Sequence, residues 1–273
     1  MSKFFRALPE FKGKRRLGRL LFKNKINEAR DIEITGKMGC RYSLPNIREN
    51  VAFSIFINGI YEEDTFRFLR DTVPPDALFL DLGMNIGSIS IPLCKARPDI
   101  KVVGIEASPW VMGYLVKNIS VNSLDNRITP HNYALFDEDD QELKFLSPKD
   151  HFGQGSLSLH NSSEDVILVH SIKLDTFLQK NKIQKVGFIK IDIEGYEYFA
   201  FKGGLELLKG PDAPDILFES SDRNEKLAGV EPGGSQKILR DAGYKIYKIE
   251  DGKKVLQHDI LTTGFYMLFA SKK

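Results

Sequence analysis

Phe79-Leu80-Asp81-Leu82-Gly83-Met84-Asn85-Ile86-Gly87 decides the fold. The apolar run Leu78–Leu82 reads as a buried strand, and the Gly-x-Asn-x-Gly turn after it opens the helical stretch Ile86–Ala96. Gly83 and Gly87 permit positive φ and close approach of the backbone to a ligand. Outward from this unit, strands and helices alternate. Lys101–Glu106 is the next strand, and a helix follows from Pro109, a favoured first-turn residue, to about Asn122. Ile128–Leu135 is a third strand, and Pro130 inside it predicts a sheet edge. Val186–Asp192 is a fourth strand, apolar on both faces, and a helix over about Tyr198–Leu208 bends at Gly203-Gly204. Asp215–Glu219 is the fifth, and Ser235–Ala242 is a helix with a Ser cap and Gly243 as its stop. Tyr244–Glu250 and Gly264–Ala270 finish the chain as an antiparallel pair. The expectation is a doubly wound α/β fold: a seven-stranded, mostly parallel sheet with an antiparallel final pair. The stretch 137–173 fits no crossover; Glu142–Leu146, Ser156–His160 and Val166–His170 read as an inserted β element beside the site.

In such sheets ligands bind outside the carboxyl ends of the strands. Asp81 ends its strand there. The turn lacks the full G-x-G-x-x-G spacing, and a carboxylate repels a pyrophosphate. It suits a cationic ligand with an amino group and a sulfonium, the description of S-adenosylmethionine. Glu106, 19 residues after Gly87, ends the second strand, where an acid can hold both hydroxyls of a ribose. Lys190-Ile191-Asp192-Ile193-Glu194-Gly195-Tyr196-Glu197 clusters three carboxylates at the end of the buried fourth strand. Like charges this close raise one another's proton affinity unless a cation intervenes. Glu194 and Glu197 are alternatively placed to favour the N-terminus of the next helix. The five histidines fall outside these motifs; His151 is the one worth testing as a base.

Before the domain at 76–273, residues 31–75 form a lead-in: a strand at Asp31–Thr35, then Tyr42–Asn58, then a helix at Glu62–Asp71 with Glu62, Glu63 and Asp64 in its first turn. Residues 1–30 form a basic arm. Residues 1–25 hold nine Lys/Arg and one acid, a charge of +8, which leaves −6 on the rest of a chain of net +2. A basic excess confined to one end argues against a nucleic-acid-binding body. From Arg15 the arm is expected to form a short amphipathic helix. It either packs its Leu/Phe stripe on the domain or docks residues 1–25 on an anionic membrane surface. Cys40 and Cys94 read as core thiols in a reducing compartment. No stretch approaches the ~20 apolar residues of a membrane span, and no secretory start is legible. The expected place is the cytoplasm, with peripheral contact at the inner face of a membrane.

Asp-Leu-Gly-Met-Asn-Ile-Gly at 81–87, Ile-Glu-Ala-Ser-Pro at 105–109, Leu-Asp-Thr-Phe at 174–177 and Ile-Lys-Ile-Asp-Ile-Glu-Gly-Tyr-Glu at 189–197 together resemble the FkbM family of S-adenosylmethionine-dependent methyltransferases. Asn58–Glu62 and Gln154–Leu157 are similar too, and the resemblance spans roughly 40–270. It implies a Rossmann-like class I methyltransferase fold and methyl transfer to oxygen, often a sugar hydroxyl of a glycan. By motif position, Asp81, Gly83, Asn85 and Gly87 line the methionine end of the donor. Glu106 takes the ribose. Ala134, Leu135 and Asp137 lie near the adenine. Asp192 and Glu194, with Glu197, sit on the acceptor side. An alcohol needs a base or a metal, so Asp192 or Glu194 serves as base, or the two hold Mg²⁺. The alternatives are methyl transfer to nitrogen or a carboxylate, and a catalytically silent, membrane-docked module. A nicotinamide oxidoreductase wants the longer glycine fingerprint.

Overall fold

The computed structural model describes residues 5, 6, 8, 11–157 and 165–273. In chain order the strands are β1 (Arg30–Thr35), β2 (Arg41–Asn46), β3 (Leu78–Leu82), β4 (Lys101–Ile105), β5 (Ile128–His131), β6 (Ala134–Leu135), β7 (Glu142–Leu146), β8 (Val166–Ile172), β9 (Phe188–Ile191), β10 (Asp215–Ser221), β11 (Lys245–Glu250), β12 (Lys253–Gln257) and β13 (Phe265–Ser271). The main sheet has the order β12-β11-β13-β10-β9-β3-β4-β5, parallel from β10 to β5 and antiparallel beyond. The α/β fold is therefore as expected, with the final strand inserted between β10 and β11. The sheet has an eighth strand, β12, which the sequence reading lacks. It pairs with β11 across an Asp251-Gly252 turn whose residues both have positive φ, the chemistry of a tight hairpin.

Alternation along β3 sends Phe79 to one face of the sheet and Leu80 and Leu82 to the other, each into its own hydrophobic cluster. Pro130 does lie on the edge strand β5. The expected strand over 128–135 splits instead. Asn132 donates through Nδ2 to the carbonyls of Glu106 (2.7 Å) and Ala107 (2.9 Å), and the chain leaves the main sheet to pair β6 with β8. In and just before the stretch 137–173, β6, β8 and β7 form a three-stranded sheet, and Leu146 bridges Ser156. The strand expected at Ser156–His160 falls largely outside the described residues.

The helix after β9 breaks into Glu197–Lys202 and Leu205–Lys209. At Gly203 a Cβ would stand 2.4 Å from the Phe136 carbonyl oxygen, so that approach requires glycine. Ser108 caps the Pro109–Val121 helix as a side-chain acceptor for the Val111 N–H. Ser235 is not a cap. The Gly234–Asp241 helix is capped across space by the buried Glu225, which accepts from the N–H groups of Gly233 (2.6 Å) and Ser235 (3.0 Å).

The lead-in shares the domain's core. The Asn50–Asn58 helix buries Phe53, Ile55 and Phe56 in the same cluster as Phe79 and Ile91, and its first turn is held by the Glu49 carboxylate. Cys40 and Cys94 are buried thiols; burial pushes them up to about 11 and about 12. No helix among the described residues is long and apolar enough to cross a membrane.

Candidate functional site

A cleft of about 590 Å³ opens at the carboxyl ends of β3, β4 and β9, with the insertion as its outer wall. On the β3–β4 side the turn after β3 carries the geometry. Gly83 has φ 85°, and a Cβ there would lie 2.0 Å from the Asp192 carbonyl oxygen. The β3 turn and the end of β9 therefore touch only because Gly83 has no side chain. Asn85 is also left-handed, with φ 52°, a conformation Asn tolerates, and its Oδ1 accepts from the Ile86 N–H at 2.7 Å. Its own N–H points to Glu106 Oε2 at 2.9 Å, while the Ser108 N–H reaches Oε1 at 2.9 Å. Burial pushes the Glu106 carboxyl up to about 7, against the pull of these two N–H groups and the more distant Lys190. A fixed acceptor pair thus faces a slot walled by Tyr133, Ala134, Leu135, Phe145 and Leu157. These residues can hold a nucleoside: a ribose diol on Glu106 and a flat base between apolar walls.

The opposite side, at the ends of β9 and β10, is acidic. Asp192 and Glu194 line the cleft. Behind them are Glu197, whose Oε1 accepts from the Ile193 N–H at 2.8 Å, and Glu219. The Nδ2 of Asn224 bridges Glu194 Oε2 (3.0 Å) and Glu219 Oε1 (2.9 Å). Burial, then the Asp192 charge, pushes Glu194 up to about 7. Burial likewise takes Glu197 to about 8 and raises Glu219. Glu62, from the lead-in, is raised by burial and by Asp192. It sits just before its helix with φ 41°, whereas Glu63 and Asp64 occupy the first turn. Glu194 too is left-handed, at φ 55°. Glu62, Asn85 and Glu194 are three of the eleven left-handed non-glycine residues among the described residues.

Among the described residues, one cation pairs with this group. Lys190 is buried and stands 3.6 Å from both Asp81 and Asp192, and it donates to the Gly83 carbonyl at 3.2 Å. Burial alone would lower its proton affinity; Asp192 and Asp81 outweigh that and raise it. The parallel register explains the pairing, since Asp81 and Lys190 are direct neighbours on β3 and β9.

Gly83, Asn85, Glu106, Ala134, Leu135, Asp192 and Glu194 therefore come together along one cleft. Four expected residues do not line it. Asp81 faces the packed side of β3, wholly buried, and accepts from the Ser90 hydroxyl. Gly87 packs against Ile91 and Leu115. Asp137 pairs with Lys202 at 2.6 Å, and Glu197 lies beneath the cleft floor. His151 is exposed and outside the lining. Sequence reasoning missed Lys190, Glu219, Asn224, Tyr133 and Phe152 as members. For a metal, the geometric set among the described residues is Asp192, Glu197 and Glu219, whose oxygens lie within 4.8 Å of one another, rather than Asp192 with Glu194.

The hexuronic acid methyltransferase AglP of Haloferax volcanii is 24% identical over 181 residues, 66% of this chain and 69% of AglP. Among solved structures, the O-methyltransferase from Bacillus cereus in complex with SAH aligns with a TM-score of 0.42 at 12% identity, over 98% of this chain and 95% of that one. The precorrin-6y C5,15-methyltransferase from Geobacter metallireducens aligns at 0.44 and 12% identity, over 78% of this chain and 87% of that one. The profile of the Methyltransferase FkbM domain matches residues 81–246, more than half of the chain, and the protein belongs to that methyltransferase family.

Proposed function

We propose that the protein transfers the methyl group of S-adenosylmethionine to a hydroxyl of a carbohydrate-containing or other small acceptor. The observation that supports this reading is one cleft lined by Glu106 and an apolar slot at one end and by Asp192 and Glu194 at the other. When bound, the donor supplies an electrophilic methyl on a sulfonium, so the protein's main work is alignment. Glu106 with Gly83 and Asn85 anchors the donor, and Ala134 and Leu135 flank its base. Asp192 orients the acceptor, and Glu194 takes the hydroxyl proton as the new C–O bond forms and the C–S bond breaks. A carboxyl poised near neutral pH suits that proton transfer.

AglP, by its printed name, acts on a hexuronic acid, which supports a sugar acceptor. The surplus of carboxylates around one lysine opposes a second free carboxylate, so a neutral hydroxyl is favoured over a uronate carboxyl. The same charge also attracts an ammonium, which makes an amino-sugar nitrogen the second reading.

Calorimetry of the folded protein with S-adenosylhomocysteine tests the donor half. Binding is expected, weakened about 10–100-fold in Glu106→Ala through lost charge-assisted hydrogen bonds. No binding to folded protein rejects the proposal, including turnover. Labelled donor against a panel of neutral glycans, uronates and amino sugars, with and without chelator, then tests the acceptor half. A product methylated at a uronate carboxyl, recognised as an alkali-labile methyl ester, rejects the hydroxyl reading. Turnover that survives chelator removes Mg²⁺ from the chemistry.

A further inference from the structure

The basic arm has a built face that the methyl-transfer chemistry does not use. Its helices, Lys14–Leu21 and Lys23–Glu28, cross the Asn50–Asn58 helix. Only Lys14, Gly18, Phe22 and Ile26 are buried, at strict four-residue spacing, together with Phe5. Gly18 permits the contact, because a Cβ would already stand 3.2 Å from Ile57 Cγ2 and 3.3 Å from Phe53 Cζ. Phe22 meets Phe56 edge-on at 5.1 Å. The arm is therefore seated on the domain by Phe5, Phe22 and Ile26, with Leu8 packed against the same cluster, and not by Leu17, Leu20 or Leu21.

Three leucines of the helical part face out. Leu17, Leu20 and Leu21 are 40%, 73% and 53% exposed, and Phe11 is 42% exposed. A helix seated on a soluble domain normally fills such positions with polar residues. Residues 11–27 hold seven Lys/Arg and no Asp or Glu. Lys12, Arg15, Arg16, Arg19, Lys23 and Lys25 are all exposed. Arg19 stacks on Phe53 at 4.5 Å, and Arg15 and Arg19 hydrogen-bond to Asn50, which holds two of these guanidiniums to the ridge.

We propose that this face docks on an anionic lipid bilayer, with the leucines in the acyl–headgroup boundary and the cations among the headgroups. Exposed leucines interleaved with cations match the two demands of such a surface. A nucleic acid would satisfy the cations and leave the leucines in water. The acidic remainder of the chain, at −6, is repelled by the same surface and so leaves this face as the contact. The seat is tied to the cleft: Arg48 donates to the Asn27 carbonyl (2.9 Å) and to Asp150 (2.7 Å), two residues before the cleft-lining Phe152.

Co-sedimentation of the full chain with vesicles tests the proposal, which stands apart from the acceptor's identity. Phosphatidylcholine vesicles are compared with vesicles containing phosphatidylglycerol, at low salt and at about 1 M salt, where screening shortens to about 3 Å. Binding to the anionic vesicles alone, lost in high salt, is expected. Arg16→Gln with Lys23→Gln should weaken it roughly 25-fold, about five-fold per cation. Leu20→Ser with Leu21→Ser should weaken it about ten-fold or more, with an unchanged thermal melt. Equal binding to neutral vesicles, no binding to anionic ones, or full binding by the leucine variant overturns it. So does leucine-dependent self-association without vesicle binding, which would assign the face to a second copy.

Discussion

The two ends of the cleft solve opposite electrostatic problems. At the ends of β3 and β4 one carboxylate, Glu106, has both oxygens held by backbone N–H groups. At the ends of β9 and β10, Asp192, Glu194, Glu197 and Glu219 crowd together with Lys190 as the cation paired to Asp192. The first end is preorganised: backbone N–H groups fix both Glu106 oxygens before any ligand arrives, although burial still pushes the carboxyl up to about 7. The second is short of positive charge, so protons or an incoming group must relieve it. On the proposed reading, this contrast makes binding and chemistry separable. Changes at the first end should act on donor affinity, and changes at the second on turnover, pH response and stability.

The largest effect should come from Glu194→Gln. Turnover is expected to fall about 10²–10⁴-fold, the usual contribution of a general base, with S-adenosylhomocysteine affinity within about two-fold. Single-turnover rates beside calorimetry check this. Retained turnover in that variant, with loss in Asp192→Asn, would move the base to Asp192. Lys190→Met should come next. It strips the buried Asp81 and the half-buried Asp192 of their partner, and breaking a buried pair costs about 3–5 kcal/mol in urea unfolding. An unchanged unfolding midpoint would show that Asp81 and Asp192 do not depend on the ammonium.

The smallest effect is on pH. Glu106 and Glu194 are raised to about 7 and Glu197 to about 8, well above the ~4.3 of an unfolded Glu. Between those limits the folded chain binds more protons than the unfolded one, so stability rises as pH falls. The melting temperature should climb a few degrees from about pH 8.5 to about pH 6, while turnover declines as Glu194 protonates. A melting temperature that instead rises with pH would contradict the acidic end as described.

Much of this molecule is legible in the chain itself. Apolar runs at Leu78–Leu82 and Val186–Asp192, with turn glycines and helical spacing between strands, specify a parallel sheet because those signals are local. Glu106, Asp192 and Glu194 are legible for the same reason: strand ends face the crevice in this architecture. The edge hairpin at Asp251-Gly252 is also legible, from its dipeptide. Asp81 misleads, because its place at a strand end says nothing of the neighbour that register will set beside it. The arm misleads in the same way. Its Leu and Phe residues look like one stripe, yet four-residue spacing buries Phe22 and Ile26 and turns Leu20 outward.

By itself, then, the sequence determined the α/β order of elements, the family motifs and the carboxylates that end the strands. Only the tertiary structure decided which of those carboxylates share Lys190, that Glu219 and Asn224 join them from β10 and the helix after it, and which face of the arm meets water. The reason is that propensity and periodicity act over a few neighbouring residues. Strand register, helix seating and the balance of buried charge are set instead between residues about a hundred positions apart, such as Lys190 and Gly83, 107 apart along the chain.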